Sequence, residues 1–117
     1  RYTQEFMAKY DTFTVSFFPD SYHKALGYLG SHSGRDENKV ANSGLTPVVA
    51  GDGVTFKEAE LTFVCKKLYE HQFDEAYLAE KVKDYYASNP AVYTQAGHDR
   101  WEPHYMYIGE VVDAIED

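Results

Sequence analysis

The chain has 117 residues, with 11 Lys and Arg against 19 Asp and Glu, so its formal charge is −8 with histidine neutral. Hydrophobic residues make up 44% and charged residues 26%, which is typical of one folded globular domain and excludes a disordered or fibrous chain. An acidic chain lacks the Lys and Arg excess that binds a phosphate backbone or an anionic lipid surface, so neither nucleic acid nor a membrane is an expected partner.

The first third of the chain predicts a helix, a strand and two further helices. Thr3 is placed to cap a short helix that runs through Tyr10, because its hydroxyl can accept from the free N–H groups of the first turn. From Thr12 to Phe18 apolar and hydroxyl residues alternate, which is the period of a half-buried β-strand. The two helices are predicted from Asp20 to Gly30 and from Asp36 to about Asn42, with Gly30 and Gly44 as the residues that end them.

The rest of the chain predicts a hairpin, two long strands and one helix. Gly51-Asp52-Gly53 is typical of a turn, here between Val48-Val49 and Val54-Phe56. The elements after it are a strand from Glu60 to Tyr69, a helix from a cap at Asp74 to Asn89-Pro90, and a strand from about His104 to Val112.

Strands separated by helices and a hairpin predict an α+β fold, mainly antiparallel, with residues 1–117 forming a single domain. We expect the three long strands to belong to one antiparallel sheet. Their alternation predicts that one face carries the core, because a slip of one residue would expose the whole apolar set. The residues predicted on that core side are Phe13, Val15, Phe17, Leu61, Phe63 and Cys65.

The densest polar cluster runs from Ser31 to Lys39, between two predicted helices. Backbone N–H groups at a helix start, basic side chains and the close approach that Gly34 permits would suit a phosphate. A well-capped surface loop is the commoner meaning of such a cluster. Arg1 and Thr3 place a guanidinium and a hydroxyl beside another helix start, although a terminal arginine is normally solvated.

The last strand begins at His104 and contains Gly109, where a missing side chain allows another group to approach. A strand-end histidine is more often structural than catalytic. The five histidines lack the spacing of metal ligands, and Cys65 lies mid-strand, where a thiol behaves as a small hydrophobe, so neither a metal site nor a cysteine nucleophile is expected. A single cysteine, with no signal pattern and no apolar run of membrane-spanning length, predicts the cytoplasm as the location.

Three segments carry motifs of a known family. Thr12 to Pro47 contains TFTVSFFP, GSHSGRD and GLTP, Glu58 to Tyr69 contains CKKLY, and His104 to Val111 reads HYMYIGEV. Together these segments resemble the flavin reductase family of FMN-binding split barrels, over nearly the whole chain.

The resemblance implies a homodimeric flavoprotein of the flavoredoxin-like branch, with FMN near the subunit boundary and NAD(P)H as the electron donor. Further N-terminal strands of the family precede the matching segments. We therefore expect a split β-barrel with short helices that is incomplete in this chain, since the strands predicted here cannot close one.

The resemblance also assigns site residues. Arg1 and Thr3 correspond to the Arg-x-Thr motif that binds the FMN phosphate in the family. Lys39, with Ser33 and Gly34, corresponds to the family's loop and helix start at the flavin. The remaining candidates belong to the ring end of the site: His104 as the catalytic residue near the flavin or nicotinamide, and Trp101 and Tyr107 for stacking.

The function implied is an oxidoreductase that moves electrons from NAD(P)H through bound flavin to an acceptor. The flavin carries the chemistry, which agrees with the absence of any nucleophile or acid–base motif in the sequence. Two alternatives stay open: an FMN-binding electron carrier without a nicotinamide site, and an acidic interaction module, which rests only on the net charge of −8.

Overall fold

The computed structural model describes residues 2–116 and contains a three-stranded antiparallel sheet and a separate hairpin. The three long strands share this sheet, as the sequence predicts, in the order β1-β4-β5, and the hairpin is formed by β2 and β3. The strands are β1 (Thr12–Phe17), β2 (Pro47–Ala50), β3 (Gly53–Phe56), β4 (Leu61–Gln72) and β5 (Tyr105–Glu116). The α+β, mainly antiparallel fold class is thereby confirmed.

Five helices connect or flank these strands. They are α1 (Tyr2–Lys9), α2 (His23–Ser31), α3 (Lys39–Ser43), α4 (Glu80–Ser88) and α5 (Pro90–Tyr93). No helix among residues 2–116 is both long and apolar enough to span a membrane.

Several predicted helix ends are wrong by a few residues. Thr3 lies inside α1 and is not its cap, and Gly30 lies inside α2 without a left-handed backbone. The cap of α3 is Asn38, whose side chain accepts a hydrogen bond from the backbone N–H of Ala41, and not Asp36. The predicted end at Gly44 is confirmed, since this residue has a φ of 83°.

The hairpin covers the sheet face that the sequence predicted to be exposed. Thr14 Oγ1 donates to Val54 O at 2.6 Å, which fixes β3 on β1. A chain of hydroxyls joins Ser16, Thr55 and Thr62, with 2.7 Å between neighbours, and Thr62 is only 2% exposed. Because each hydroxyl has a partner, this polar face can be buried without a large desolvation penalty.

The prediction that this apolar set faces the core is wrong for Val15 and Phe17, because on β1 the opposite, hydroxyl-bearing face is the less exposed one. Cys65 is buried, as predicted, but Val15 and Phe17 are 41% and 45% exposed. The Phe17 ring packs edge-on against Phe63, with centroids 5.6 Å apart. Alternation shows which residues share a face, but tertiary packing decides which face is covered.

Gly109 of β5 provides the close approach that the sequence predicts for it. An added Cβ there would lie 2.5 Å from the Phe13 ring and 3.1 Å from the Cβ of Cys65. The Phe13 ring, which belongs to the edge strand β1, thus reaches across β4 to the backbone of β5 at the opposite edge of the sheet. Irregularities in the β4–β5 register, between Val64 and Cys65 and between Lys67 and Tyr69, bend this part of the sheet.

Candidate functional site

A cavity of about 530 Å³ lies where α1, the end of α2 and the start of β5 meet. Residues far apart in the sequence line it, and five of the eight predicted site residues are among them: Thr3, Ser33, Lys39, His104 and Tyr107. The other walls are mainly apolar or aromatic and include Met7, Leu29, Val92, Tyr93 and Tyr105.

The other three predicted residues are placed differently. Gly34 lines an adjoining pocket of about 510 Å³ that shares Thr3 and Lys39 with the cavity. Trp101 does not line the cavity; its ring is stacked on Tyr86. Arg1 lies outside the described residues.

Lys39 joins the cavity to the end of α2. Its ammonium donates to Leu29 O at 2.9 Å and to His32 O at 3.0 Å. These carbonyls belong to the last turn of α2 and the residue after it, where backbone acceptors lack helical partners. An ammonium has three donors, so one N–H remains for a ligand.

Hydrogen bonds within the polar segment after α2 hold its shape. Ser33 Oγ accepts from the backbone N–H of Arg35 at 3.1 Å, and the Arg35 guanidinium forms an ion pair with Glu5 of α1. The His32 ring stacks on Tyr28, with centroids 3.9 Å apart. The hydroxyl of Tyr28 donates to the Glu37 carboxylate, and this bond raises the pKa of Tyr28.

His104 is held by a side chain that the sequence analysis did not select as part of the site. The Tyr86 hydroxyl lies 2.5 Å from Nδ1 of His104 and 3.1 Å from its backbone nitrogen. Tyr86 comes from α4, eighteen residues earlier, and is only 4% exposed. The one available signal was a tyrosine on the apolar side of a helix, since a buried phenol needs a polar partner.

Tyr107 and Lys67 border the same region. Burial raises the pKa of Tyr107, and the nearby Glu70 carboxylate acts in the same direction. Lys67 donates from Nζ to Met7 O at 2.9 Å, so a lysine also holds the end of α1. Within residues 2–116, no group of three or more His, Cys, Asp or Glu side chains comes together as metal ligands.

The structure resembles one solved structure over nearly its full length. That protein is nitrilotriacetate monooxygenase component B from Bacillus cereus, with a TM-score of 0.66 and 17% sequence identity. At this level of identity the likeness shows that the two proteins share a fold. It covers 97% of this chain and 46% of the other, so this chain spans about half the length of that protein. No family model and no curated protein matches the sequence.

The chemistry of the cavity suits a flat ring with a polar head. Aromatic and apolar walls favour a planar conjugated system, whereas the donors of Lys39 and Ser33 suit an anionic or carbonyl group. Its volume lies within the range of small-molecule and cofactor sites, about 300–1,000 Å³. The residues present thus fit a flavin nucleotide.

Proposed function

We propose that the cavity binds FMN and that the protein moves electrons from NAD(P)H through the flavin to an acceptor. The observation that carries this proposal is that one cavity collects Thr3, Ser33, Lys39, His104 and Tyr107 from three distant parts of the chain.

Each end of the cavity has its own task in this proposal. The remaining N–H of Lys39 and the hydroxyls of Ser33 and Thr3 bind the phosphate, and the aromatic walls exclude water from the ring. His104 lies at the ring end. When bound, the flavin supplies hydride and electron transfer, so the chain has only to position and polarise its ligands.

The homodimer belongs to the same proposal. The partly exposed sheet face around Val15 and Phe17 supports it, because an apolar face of this kind commonly packs against another subunit. The cytoplasmic location rests on the single cysteine and stays a prediction.

Anaerobic reduction tests the electron-transfer step. We expect the protein mixed with FMN to show a perturbed flavin absorption spectrum, and NADH or NADPH to bleach it faster than free FMN is bleached. FMN binding without faster bleaching would identify the electron carrier that lacks a nicotinamide site. An unperturbed spectrum at saturating FMN would contradict both functions.

A further inference from the structure

We propose that Tyr86 is a positioning residue that holds the His104 imidazole in the tautomer with its proton on Nε2, so that His104 donates a hydrogen bond to a carbonyl oxygen of the ligand. This inference rests on the proposed function for the identity of the ligand. It assigns His104 the role of a hydrogen-bond donor and not that of an acid or base.

The two contacts of the Tyr86 hydroxyl favour one placement of the protons. The backbone N–H of His104 can only donate, so the Tyr86 oxygen accepts at 3.1 Å. The phenol proton then has Nδ1 of His104 as its acceptor, at 2.5 Å. Among the described residues, no other acceptor for this proton is within hydrogen-bonding distance of the Tyr86 hydroxyl. A neutral imidazole that accepts at Nδ1 carries its own proton on Nε2.

Aromatic packing fixes the position of the Tyr86 hydroxyl. The Tyr86 ring is 4% exposed and lies nearly parallel to Trp101, with centroids 5.3 Å apart and an interplanar angle of 6°. Tyr93 packs edge-on against both Tyr86 and His104, with centroids at 4.9 and 5.3 Å. The phenol therefore has little freedom to turn away from Nδ1.

An ion pair secures the far side of this stack. The Arg100 guanidinium lies 4.6 Å from the centre of the Trp101 ring and binds Glu75 through two hydrogen bonds, at 2.7 and 2.5 Å. Trp101 thus acts on the cavity through Tyr86. This placement explains why an aromatic residue that the resemblance assigns to flavin stacking does not line the cavity.

The tautomer limits which ligand atoms His104 can recognise. His104 lines the cavity, and its ring nitrogen not engaged by Tyr86 is a donor. A neutral N–H donor pairs with an uncharged acceptor such as a carbonyl oxygen. The isoalloxazine ring and the nicotinamide carboxamide both offer one, and binding and reduction kinetics distinguish these two sources.

Nitrogen NMR of the histidine rings tests the tautomer without any ligand. A long-range ¹H–¹⁵N spectrum is recorded at about pH 8.5, above the ordinary imidazole range, with His104 assigned through His104→Gln. We expect the Nε2–H form, with an Nδ1 resonance displaced by the phenol bond. Tyr86→Phe should move Nδ1 towards the position of a solvated imidazole. The control Tyr85→Phe, which alters a 60% exposed ring on the same helix, should leave it unchanged.

Two NMR results would overturn the inference: a wild-type His104 with its proton on Nδ1, or an Nδ1 resonance that does not move in Tyr86→Phe. The first needs no Tyr86 variant and so decides even if Tyr86→Phe does not fold. Failure of the wild type to bind FMN would contradict the proposed function but leave the tautomer result intact.

Binding and reduction kinetics test the role of the donor. We expect Tyr86→Phe to weaken one step by about 2- to 10-fold, the effect of one ordinary hydrogen bond. A higher Kd for FMN assigns the carbonyl to the flavin, and a higher KM for NAD(P)H at unchanged FMN affinity assigns it to the nicotinamide. His104→Gln, which retains a donor, should lose less than His104→Ala. Equal constants in all variants would exclude a carbonyl contact by His104.

Discussion

Lys39 shows how a single side chain can belong both to the fold and to the candidate site. Its ammonium holds the two carbonyls at the end of α2 and also lines the cavity. A change at this residue must therefore affect stability and ligand binding together. Measurements of FMN affinity alone would combine the two effects.

Substitution Lys39→Ala should lower the free energy of unfolding by about 1.5–3 kcal/mol, because hydrogen bonds to a charged donor are lost at partly buried carbonyls. Urea unfolding measures this change. Lys24→Ala, on an exposed position of α2, is the matched control and should change stability by no more than about 0.5 kcal/mol. Equal stability of both variants would contradict the helix-end role of Lys39.

The phosphate contact of Lys39 is tested with two ligands. We expect Lys39→Ala to weaken FMN binding by roughly 10- to 150-fold, which corresponds to about 1.5–3 kcal/mol for a charged hydrogen bond. Riboflavin, which lacks the phosphate, should be affected much less. Fluorescence titration compares the two. An equal loss for both ligands would place the effect in the fold and not at the phosphate.

Glu75 provides a test by acidification. Hydrogen bonds from Arg100 hold the pKa of Glu75 below its ordinary value. A lowered folded-state pKa means that the pair stabilises the protein above the unfolded pKa, about 4.3, and that this contribution is lost as the pH falls through the lower folded value. Glu75→Gln should therefore melt below the wild type at about pH 6 and approach it at about pH 3. A difference independent of pH would contradict the pairing, and exposed Glu60→Gln serves as the control.

At the scale of secondary-structure elements, the sequence predicted the elements themselves more accurately than it predicted which of their faces are buried. Alternation from Thr12 onward placed β1 correctly, and the glycines around Asp52 placed the β2–β3 hairpin. Both are local signals. Which sheet face the hairpin covers depends on Thr14 meeting Val54, forty residues away, and no periodicity encodes that contact.

The candidate site likewise contains some residues that the sequence could identify and others that it could not. The cavity residues could be selected because their motifs resemble those of a family, and the structure then brought five of them together. Tyr86 and the helix-end role of Lys39 could not be predicted, because each depends on an angle between elements. Trp101 was assigned to stacking, and it does stack, but on Tyr86.

Gly109→Ala tests the packing of Phe13 across the sheet. The new methyl group would lie 2.5 Å from the ring, so the ring or the strand must shift, and overpacking of this kind costs about 1–3 kcal/mol. Thermal unfolding should show a lower Tm. Gly27→Ala, within α2 and with no atom within 4 Å of the added Cβ, should instead raise the Tm. An unchanged Tm in Gly109→Ala would show that Phe13 moves freely.

At the scale of the whole molecule, the chain leaves partly exposed an apolar surface that we call the outer sheet face, defined by Val15, Phe17, Leu61 and Phe63. Two opposite pairs of this face, Val15 with Phe63 and Phe17 with Leu61, lie next to each other in register. Apolar neighbours left this exposed favour association.

We expect light scattering at micromolar concentration to show a dimer for the wild type. Val15→Lys should shift it towards the monomer, because association would bury an unpaired charge. Val49→Lys is the control, since Val49 is 82% exposed and lies on the hairpin, away from the outer sheet face. A monomeric wild type, or equal dissociation in both variants, would contradict an interface at this face.

The measurement that tests the central claim most directly is a fluorescence titration of FMN with two glycine variants of α2. Gly30 lines the cavity whereas Gly27 does not, and neither has an atom within 4 Å of an added Cβ. Gly30→Leu thus places a side chain at the cavity wall, and Gly27→Leu adds the same group elsewhere on the helix. We predict saturable binding of FMN by the wild type and Gly27→Leu, and a loss of at least about tenfold in Gly30→Leu. Equal affinity in all three proteins, or no saturation by about 1 mM FMN, would contradict a flavin site in this cavity.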